Sequence, residues 1–386
     1  MLSFEFSEDQ EAFRATMRSY AREKLLPGYS ERAKHAEFPW KQHQELAELG
    51  VLGIGLPEEY GGSGEADHIA LGIAAEELGY GDINVASTSA TAVGLIGDML
   101  ARAGTTAVKD RFLPRMITGE AIVALALTEP DAGSDASALR MTAKPVDGGY
   151  LLNGEKTSIT MIEFAEAAIV FAREPGTTGS TGISAFLVDT GAEGVSIGHF
   201  DDMGLLPVGR GTIALDDVFV PDEQLLGERG KGFALVMGNF DFSRASIGLH
   251  CLGAARASLE ETSAYMLERT TFGKPLAAYQ GLSFQIAEHY TYLEAARWVC
   301  YWTLWLRSTE QRHTTQAAMS KWWAPRVAVR AIESCLTING HTAWSDELPH
   351  QQRLRDAMAF FIADGTAEIQ KLIIGRDYVG PEVMGR

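Results

Sequence analysis

Three regimes of hydrophobic spacing follow one another along the chain. In residues 1–120 apolar positions recur at helical intervals between Gly- and Pro-bearing turns such as "GLPEEYGGSG". The first of these helices opens at Ser7, where Gln10 has capping-box spacing and Phe13, Met17 and Tyr20 follow on one face. Across residues 121–235 the runs become short and β-rich: "AIVALALTE", "GGYLLNGEKTSIT", "EAAIVFARE", "GISAFLVD" and "TIALDDVFVP", punctuated by Gly, Asp and Pro as at Asp147-Gly148-Gly149. From 236 to 386 the helical period returns in long segments near Phe240–Arg269, Gln280–Arg307 and Gln316–Asn339. A final stretch, Phe360 to Gly380, reads as one more long buried helix. The pattern predicts an α+β chain with an N-terminal all-α domain (1–120), a middle β domain (121–235) and a C-terminal helical bundle domain (236–386).

Composition narrows the function classes. The chain has 386 residues, 46% of them hydrophobic, enough for a large core. A net charge of −18 opposes binding to nucleic acid or to an anionic membrane surface. Cys251, Cys300 and Cys335 are far apart, with neither metal-site spacing nor a disulfide framework, so no metal is expected and a cytoplasmic location fits. The N-terminus is acidic and lacks an apolar signal-peptide core. The longest uncharged run, Ile83 to Gly97, is too short and too rich in Ser and Thr to span a bilayer. There is no GxGxxG opening a strand–helix unit, no GxxxxGK[ST], no HExxH and no GxSxG; "GERGKGF" reads as a loop before a helix.

Several residues offer chemistry or an ordinary structural role. In "EPDAGSD", Gly133 and Ser134 let backbone N–H groups face an electron-rich ligand, or simply form a surface turn. Arg269, with Thr271, Phe272 and Gln280, places a guanidinium suited to a pyrophosphate at a helix break, or a solvated cation at a helix C-terminus. Asp241 and Arg244 have the spacing of an intrahelical ion pair. Asp364, followed by Gly365, is a carboxylate in the middle of a predicted helix: a cap or a base.

Four segments in order, "LTEPDAGSD" (Leu127–Asp135), "NGEKTSIT" (Asn153–Thr160), "RTTFGKPLAAYQ" (Arg269–Gln280) and "RDAMAFFIADGTAEIQ" (Arg355–Gln370), resemble the acyl-CoA dehydrogenase family of FAD enzymes. The resemblance runs from end to end. It implies an N-terminal helical domain, a middle β-barrel-like domain and a C-terminal four-helix bundle, in agreement with the periodicity. It also implies FAD contacts at Leu125, Leu127, Thr128, Gly133, Ser134, Ser158, Thr160, Arg269, Thr271, Phe272, Gln280, Thr337, Gly340, Thr366 and Glu368. Substrate contacts are implied at Ser134, Phe240, Asp241, Arg244 and Gly365. In the family the arginine matching Arg269 reaches the FAD of a neighbouring subunit, so a homotetramer (a dimer of dimers) is expected, with an electron-transfer flavoprotein as acceptor.

The family's base is usually a glutamate at the position of Asp364; some members carry it instead at the position of Ser243, and serine is no base. The retained Gly365, Thr366 and Glu368 favour a working Asp364 over a bare cap. Its carboxylate is withdrawn by one C–C bond, roughly 1.5 Å, which points to an acyl group that is cyclic or branched near its α-carbon, of the cyclohexanecarbonyl-CoA type. The small-residue run "NVASTSATAVG" leaves room for such a group or serves close helix packing. Departures from the family pattern are Ser158 where an aromatic is usual, Met161 after Thr160, and Thr337 and His341 in place of the Gln and second Gly of a Gln-x-x-Gly-Gly element. Alternative readings are a flavin oxidase resembling nitroalkane oxidase, an acyl-carrier-protein dehydrogenase, and a catalytically silent homologue.

Overall fold

The structure is a computed structural model that describes residues 5–380; the side chains of residues 90–93 lie outside the described set. Seven helices come first: α1 (Glu8–Tyr20), α2 (Tyr29–Arg32), α3 (Trp40–Glu48), α4 (His68–Gly81), α5 (Ile83–Thr91), α6 (Asp98–Ala103) and α7 (Thr106–Ile117). The capping box predicted at Ser7 and Gln10 forms in both directions. Helix α4 is buried continuously from Leu71 to Gly81, in keeping with a sequence that is apolar apart from the arginine-paired Glu76 and Glu77.

Eight strands follow: β1 (Val123–Ala126), β2 (Thr142–Val146), β3 (Gly149–Ile159), β4 (Ala167–Arg173), β5 (Ile183–Asp189), β6 (Val195–His199), β7 (Gly211–Pro221) and β8 (Leu225–Leu226). They form one sheet in the order β6-β7-β3-β2-β4-β5-β8, with β1 paired in parallel to β4. Ala167–Ala172 of β4 are buried on both faces, which explains their unbroken apolar run.

The remainder is helical: α8 (Gly232–Glu268), a short hairpin of β9 (Thr270–Thr271) and β10 (Lys274–Pro275), α9 (Gln280–Ser308), α10 (Thr314–Asn339), α11 (His341–Trp344), α12 (His350–Met358) and α13 (Ala367–Tyr378). Helices α8, α9 and α10 pack on one another, and α12 and α13 lie against α10. "GERGKGF" is indeed a loop running into a helix, since α8 begins at Gly232.

The first and last helical regions share one hydrophobic core that includes Met17, Leu78, Phe242, Leu249, Leu304 and Ile332. Contact is closest where α4 crosses α8. A Cβ on Gly79 would fall 2.4 Å from His250 O, and one on Gly253 would fall 2.1 Å from Glu76 O. Beside this crossing, Glu76 receives Arg256, Arg297 and the Tyr301 hydroxyl at 2.8–2.9 Å. Burial alone would raise its carboxyl, but these partners outweigh burial and hold it below the usual range. A second core joins the sheet to residues such as Ile96, Phe112 and Met116 of the N-terminal region.

One expected element is corrected. The stretch from Phe360 to Gly380 is not a single helix. After α12 the chain makes a 3₁₀ turn at Ala359–Phe361, and Asp364 (φ 51°) and Gly365 (φ 92°) then take left-handed conformations that end any helix. The small-residue run is described only in part, because 90–93 fall outside it. At its end, Gly94 serves close packing: a Cβ there would lie 1.7 Å from Phe242 Cε1. Among the described residues, no helix is long and apolar enough to cross a membrane.

Candidate active site

The turn carrying Asp364 is braced from two sides. From α10, Lys321 Nζ donates to Phe360 O at 2.7 Å and to Gly365 O at 3.3 Å. From α13, Gln370 Nε2 donates to Asp364 O at 3.2 Å. A Cβ on Gly365 would fall 2.5 Å from that same Nε2, so the turn needs glycine there for space as well as for φ. Lys321 is 1% exposed, and burial brings its ammonium down to about 8 against the pull of Asp364. The helix cap is not Asp364. Thr366 is the N-cap of α13, its side chain accepting from Ile369 N–H at 3.4 Å.

The half-buried Asp364 carboxylate faces α8, where Ser243 Oγ donates to Oδ2 at 2.8 Å. On the same turn of α8, Arg244 pairs with Asp241 at 2.7 Å, and Thr314 donates to the other oxygen of Asp241 at 2.6 Å. The pair is buried, and Arg244 Nε has no hydrogen-bond partner among the described residues. Phe240, Asp241, Arg244, Asp364 and Gly365 thus belong to one neighbourhood.

A second group lies on the sheet. Leu125 is half-buried on β1, Leu127 is buried and Thr128 half-buried just beyond it, and Thr157 N–H donates to Thr128 O at 2.8 Å. Lys156, wholly buried, donates to Leu127 O at 3.0 Å and to Glu129 Oε1 at 2.8 Å; Glu129 also accepts the N–H groups of Arg140 and Met141. Burial would raise Glu129, but Lys156 and the two backbone donors hold it low; burial brings Lys156 down to about 8. This pair locks the two sheet motifs together. Gly133 and Ser134 sit exposed on the loop beyond. Ser158 adopts φ 57° and its Oγ accepts from Arg210, and Met161 adopts φ 65°. Such strain gathers at ligand sites. The half-buried hydroxyls of Thr128 and Thr160 have no partner among the described residues, which suits a planar polar cofactor such as a flavin ring.

The sheet domain also touches the C-terminal helices where the loop before β7 docks on α12. Leu205 N–H donates to Asp356 Oδ1 at 2.7 Å, and Gly204 lies against the Arg355 backbone.

The remaining predicted residues are elsewhere in the same chain. Arg269, Thr271, Phe272 and Gln280 lie on or beside the β9–β10 hairpin, past the far end of α8; Phe272 is 95% exposed with φ 47°. At 1.5 Å per residue they are about 40 Å from Ser243. Thr337 bonds back to Glu333 O and Ser334 O of its own helix, Gly340 ends α10, and Glu368 is exposed on α13. Thr366 is half-buried at its cap. Sequence reasoning passed over Glu129, Lys156, Arg210, Lys321 and Gln370, and treated Ser243 only as a lost base.

Comparison with known proteins agrees with this fold. The N-terminal, middle and C-terminal domain models of acyl-CoA dehydrogenase match residues 7–120, 124–218 and 230–379. The CarC subunit of the caffeyl-CoA reductase–Etf complex of Acetobacterium woodii is 34% identical over 375 residues, 96% of this chain and 98% of that one. The structure of butyryl-CoA dehydrogenase from Megasphaera elsdenii superposes with a TM-score of 0.93 at 34% identity, covering 98% of this chain and all of the other. The FAD complex of PigA superposes with a TM-score of 0.94 at 28% identity, over 98% of this chain. The chain belongs to the acyl-CoA dehydrogenase family and is an FAD-dependent oxidoreductase acting on CH–CH groups.

Proposed function

We propose that the chain α,β-dehydrogenates a saturated, compact acyl-CoA thioester, cyclic or branched at its α-carbon, with Asp364 as the α-proton base. The observation that carries this reading is the placement of the Asp364 carboxylate: it faces Ser243 on α8 while Thr366 caps the last helix, so Asp364 is left with chemistry to do. Arg244, with its free buried Nε, and Asp241 meet the CoA side of the substrate. Asp364 Oδ1 takes the proton next to the thioester carbonyl as the C=C bond forms. The carbonyl oxygen gains a donor from the Asp364 backbone N–H, which donates to no protein acceptor among the described residues. Bound FAD supplies the acceptor for the hydride lost from the neighbouring carbon; Leu125, Leu127, Thr128, Gly133, Ser134, Ser158 and Thr160 would hold its ring end.

The hairpin group about 40 Å away serves the FAD of a second subunit through Arg269, Thr271, Phe272 and Gln280, with Thr337 and Gly340 nearby. Exposed aromatics along α9 (Phe284, Tyr290, Trp302, Trp305) offer an apolar face for that second copy in a homotetramer. Electrons leave to an electron-transfer flavoprotein in the cytoplasm; the Acetobacterium relative is itself named as part of a complex with one.

The test is the visible spectrum of the purified holoprotein, recorded anaerobically with cyclohexanecarbonyl-, isobutyryl- and butyryl-CoA. Fastest bleaching by a cyclic or branched thioester is expected. Bleaching by butyryl-CoA alone would remove the substrate class, and no bleaching by any of them would overturn the dehydrogenase reading.

A further inference from the structure

The two positions at which a base is expected in this family come into contact in this chain: Ser243 Oγ lies 2.8 Å from Asp364 Oδ2. We propose that Ser243 is the positioning residue of the Asp364 base, its hydroxyl holding Oδ2 so that Oδ1 is presented to the substrate. The inference rests on the base assignment above and goes beyond it.

Ser243 has one hydroxyl proton and two acceptors in reach, Phe240 O at 3.2 Å and Asp364 Oδ2 at 2.8 Å. The shorter, charge-assisted bond wins while Asp364 is ionised. Once Oδ1 has taken the substrate proton, Oδ2 is a weaker acceptor and the hydroxyl can turn back to the Phe240 carbonyl. The hydroxyl therefore favours the carboxylate before proton transfer and orients it. Orientation is needed more here than with a longer side chain, because a shortened base has less reach over which to find its proton. The turn itself is held by Lys321 and Gln370, so Ser243 supplies the restraint that those residues leave missing, rotation of the carboxylate about χ2.

Lys321 feels Asp364 together with Cys251 and Arg244 on α8 and Arg326 on α10; Arg244 is paired with Asp241, and Arg326 with Glu368 on α13. None but Ser243 makes a hydrogen bond to the Asp364 carboxylate among the described residues.

The experiment compares wild type, Ser243→Ala and Asp364→Ala as FAD-loaded proteins. The rate of anaerobic flavin reduction is followed from about pH 5 to about pH 9 with whichever of the three thioesters bleaches wild type fastest. Ser243→Ala is expected to reduce its flavin roughly ten- to a hundredfold more slowly at saturating thioester, with its thioester affinity and melting temperature unchanged. A second readout asks for the hydroxyl itself: Ser243→Thr, which keeps it, is expected to recover most of the rate that Ser243→Ala loses. An unchanged rate in Ser243→Ala, or a Ser243→Thr as slow as Ser243→Ala, would overturn the role of Ser243 even if Asp364→Ala is inactive. An active Asp364→Ala would overturn the base assignment instead.

Discussion

The Tyr29 hydroxyl donates to Asp356 Oδ2 across 2.6 Å, joining residues from opposite ends of the chain inside a fully buried site. Asp356 also accepts from Leu205 N–H, Gln352 and Asn84, so one carboxylate ties the N-terminal helices, the sheet domain and α12 together. Burial outweighs those donors and pushes its carboxyl up to about 6. In the unfolded chain it titrates near 4. The native protein therefore holds an extra proton between these values, and the stability this confers is lost as pH rises through 6. Asp356→Asn is expected to flatten that fall. Two pH units correspond to about 3 kcal/mol, and urea midpoints from about pH 4.5 to about pH 7 measure the difference. Parallel profiles would rule out the linkage.

Removing the base itself gives the largest effect on turnover. Asp364→Ala is expected to keep its yellow colour and lose roughly 10²- to 10⁴-fold in rate. Asp364→Glu, which restores the missing methylene, is expected to shift preference toward straight-chain thioesters, measured as the ratio of kcat/KM for butyryl- and cyclohexanecarbonyl-CoA.

Cap and base separate by stability. Thr366→Ala removes the side-chain bond to Ile369 N–H and is expected to cost about 1 kcal/mol in chemical denaturation. Asp364→Asn, which tolerates the same left-handed backbone, is expected to leave the denaturation midpoint where it was. If the two exchanged behaviours, the capping assignment would be reversed.

Lys156→Met leaves Glu129 without its cationic partner in a buried turn. A loss of about 3–5 kcal/mol is expected, accompanied by loss of flavin. The double variant Lys156→Met/Glu129→Gln is expected to recover part of the stability, because no bare charge is left behind. Additive losses would show that the two side chains act separately.

Arg269→Ala, on an exposed hairpin, is expected to fold normally and to retain FAD about tenfold less well. At limiting FAD, co-purified oligomers of Asp364→Ala and Arg269→Ala subunits are expected to exceed the mean activity of the two separate variants, since one site in each pair then has both residues intact. No recovery on mixing would confine each arginine to its own subunit.

Much of this was legible in the sequence for a physical reason. The capping box at Ser7, the doubly apolar β4 and the loop before α8 follow from local pattern, and the family motifs point to the sheet turn. The break at Asp364 was hidden because the apolar period continues on both sides of it, and only the Asp-Gly pair hints at left-handed backbone. Lys321 stands within the buried stripe of α10, among Ala317, Ala318, Ala324 and Ala328, where a lysine is out of place. Lys156 holds a buried position on β3. A charge set into an apolar period was the available signal for both. The contact between Ser243 and Asp364 spans 121 residues of sequence, and no local pattern encodes it.

The crossing of α4 over α8 also bears on how the chain is made. Helix α4 is largely apolar, and its two glutamates wait on arginines of later helices; it leaves the ribosome before the helix that covers it. About 150 residues separate the two, so at typical elongation speeds the nascent chain displays that surface for roughly 10–30 s. During that interval it is a client for chaperones. Truncations ending within the sheet domain would expose the same surface permanently, and aggregate.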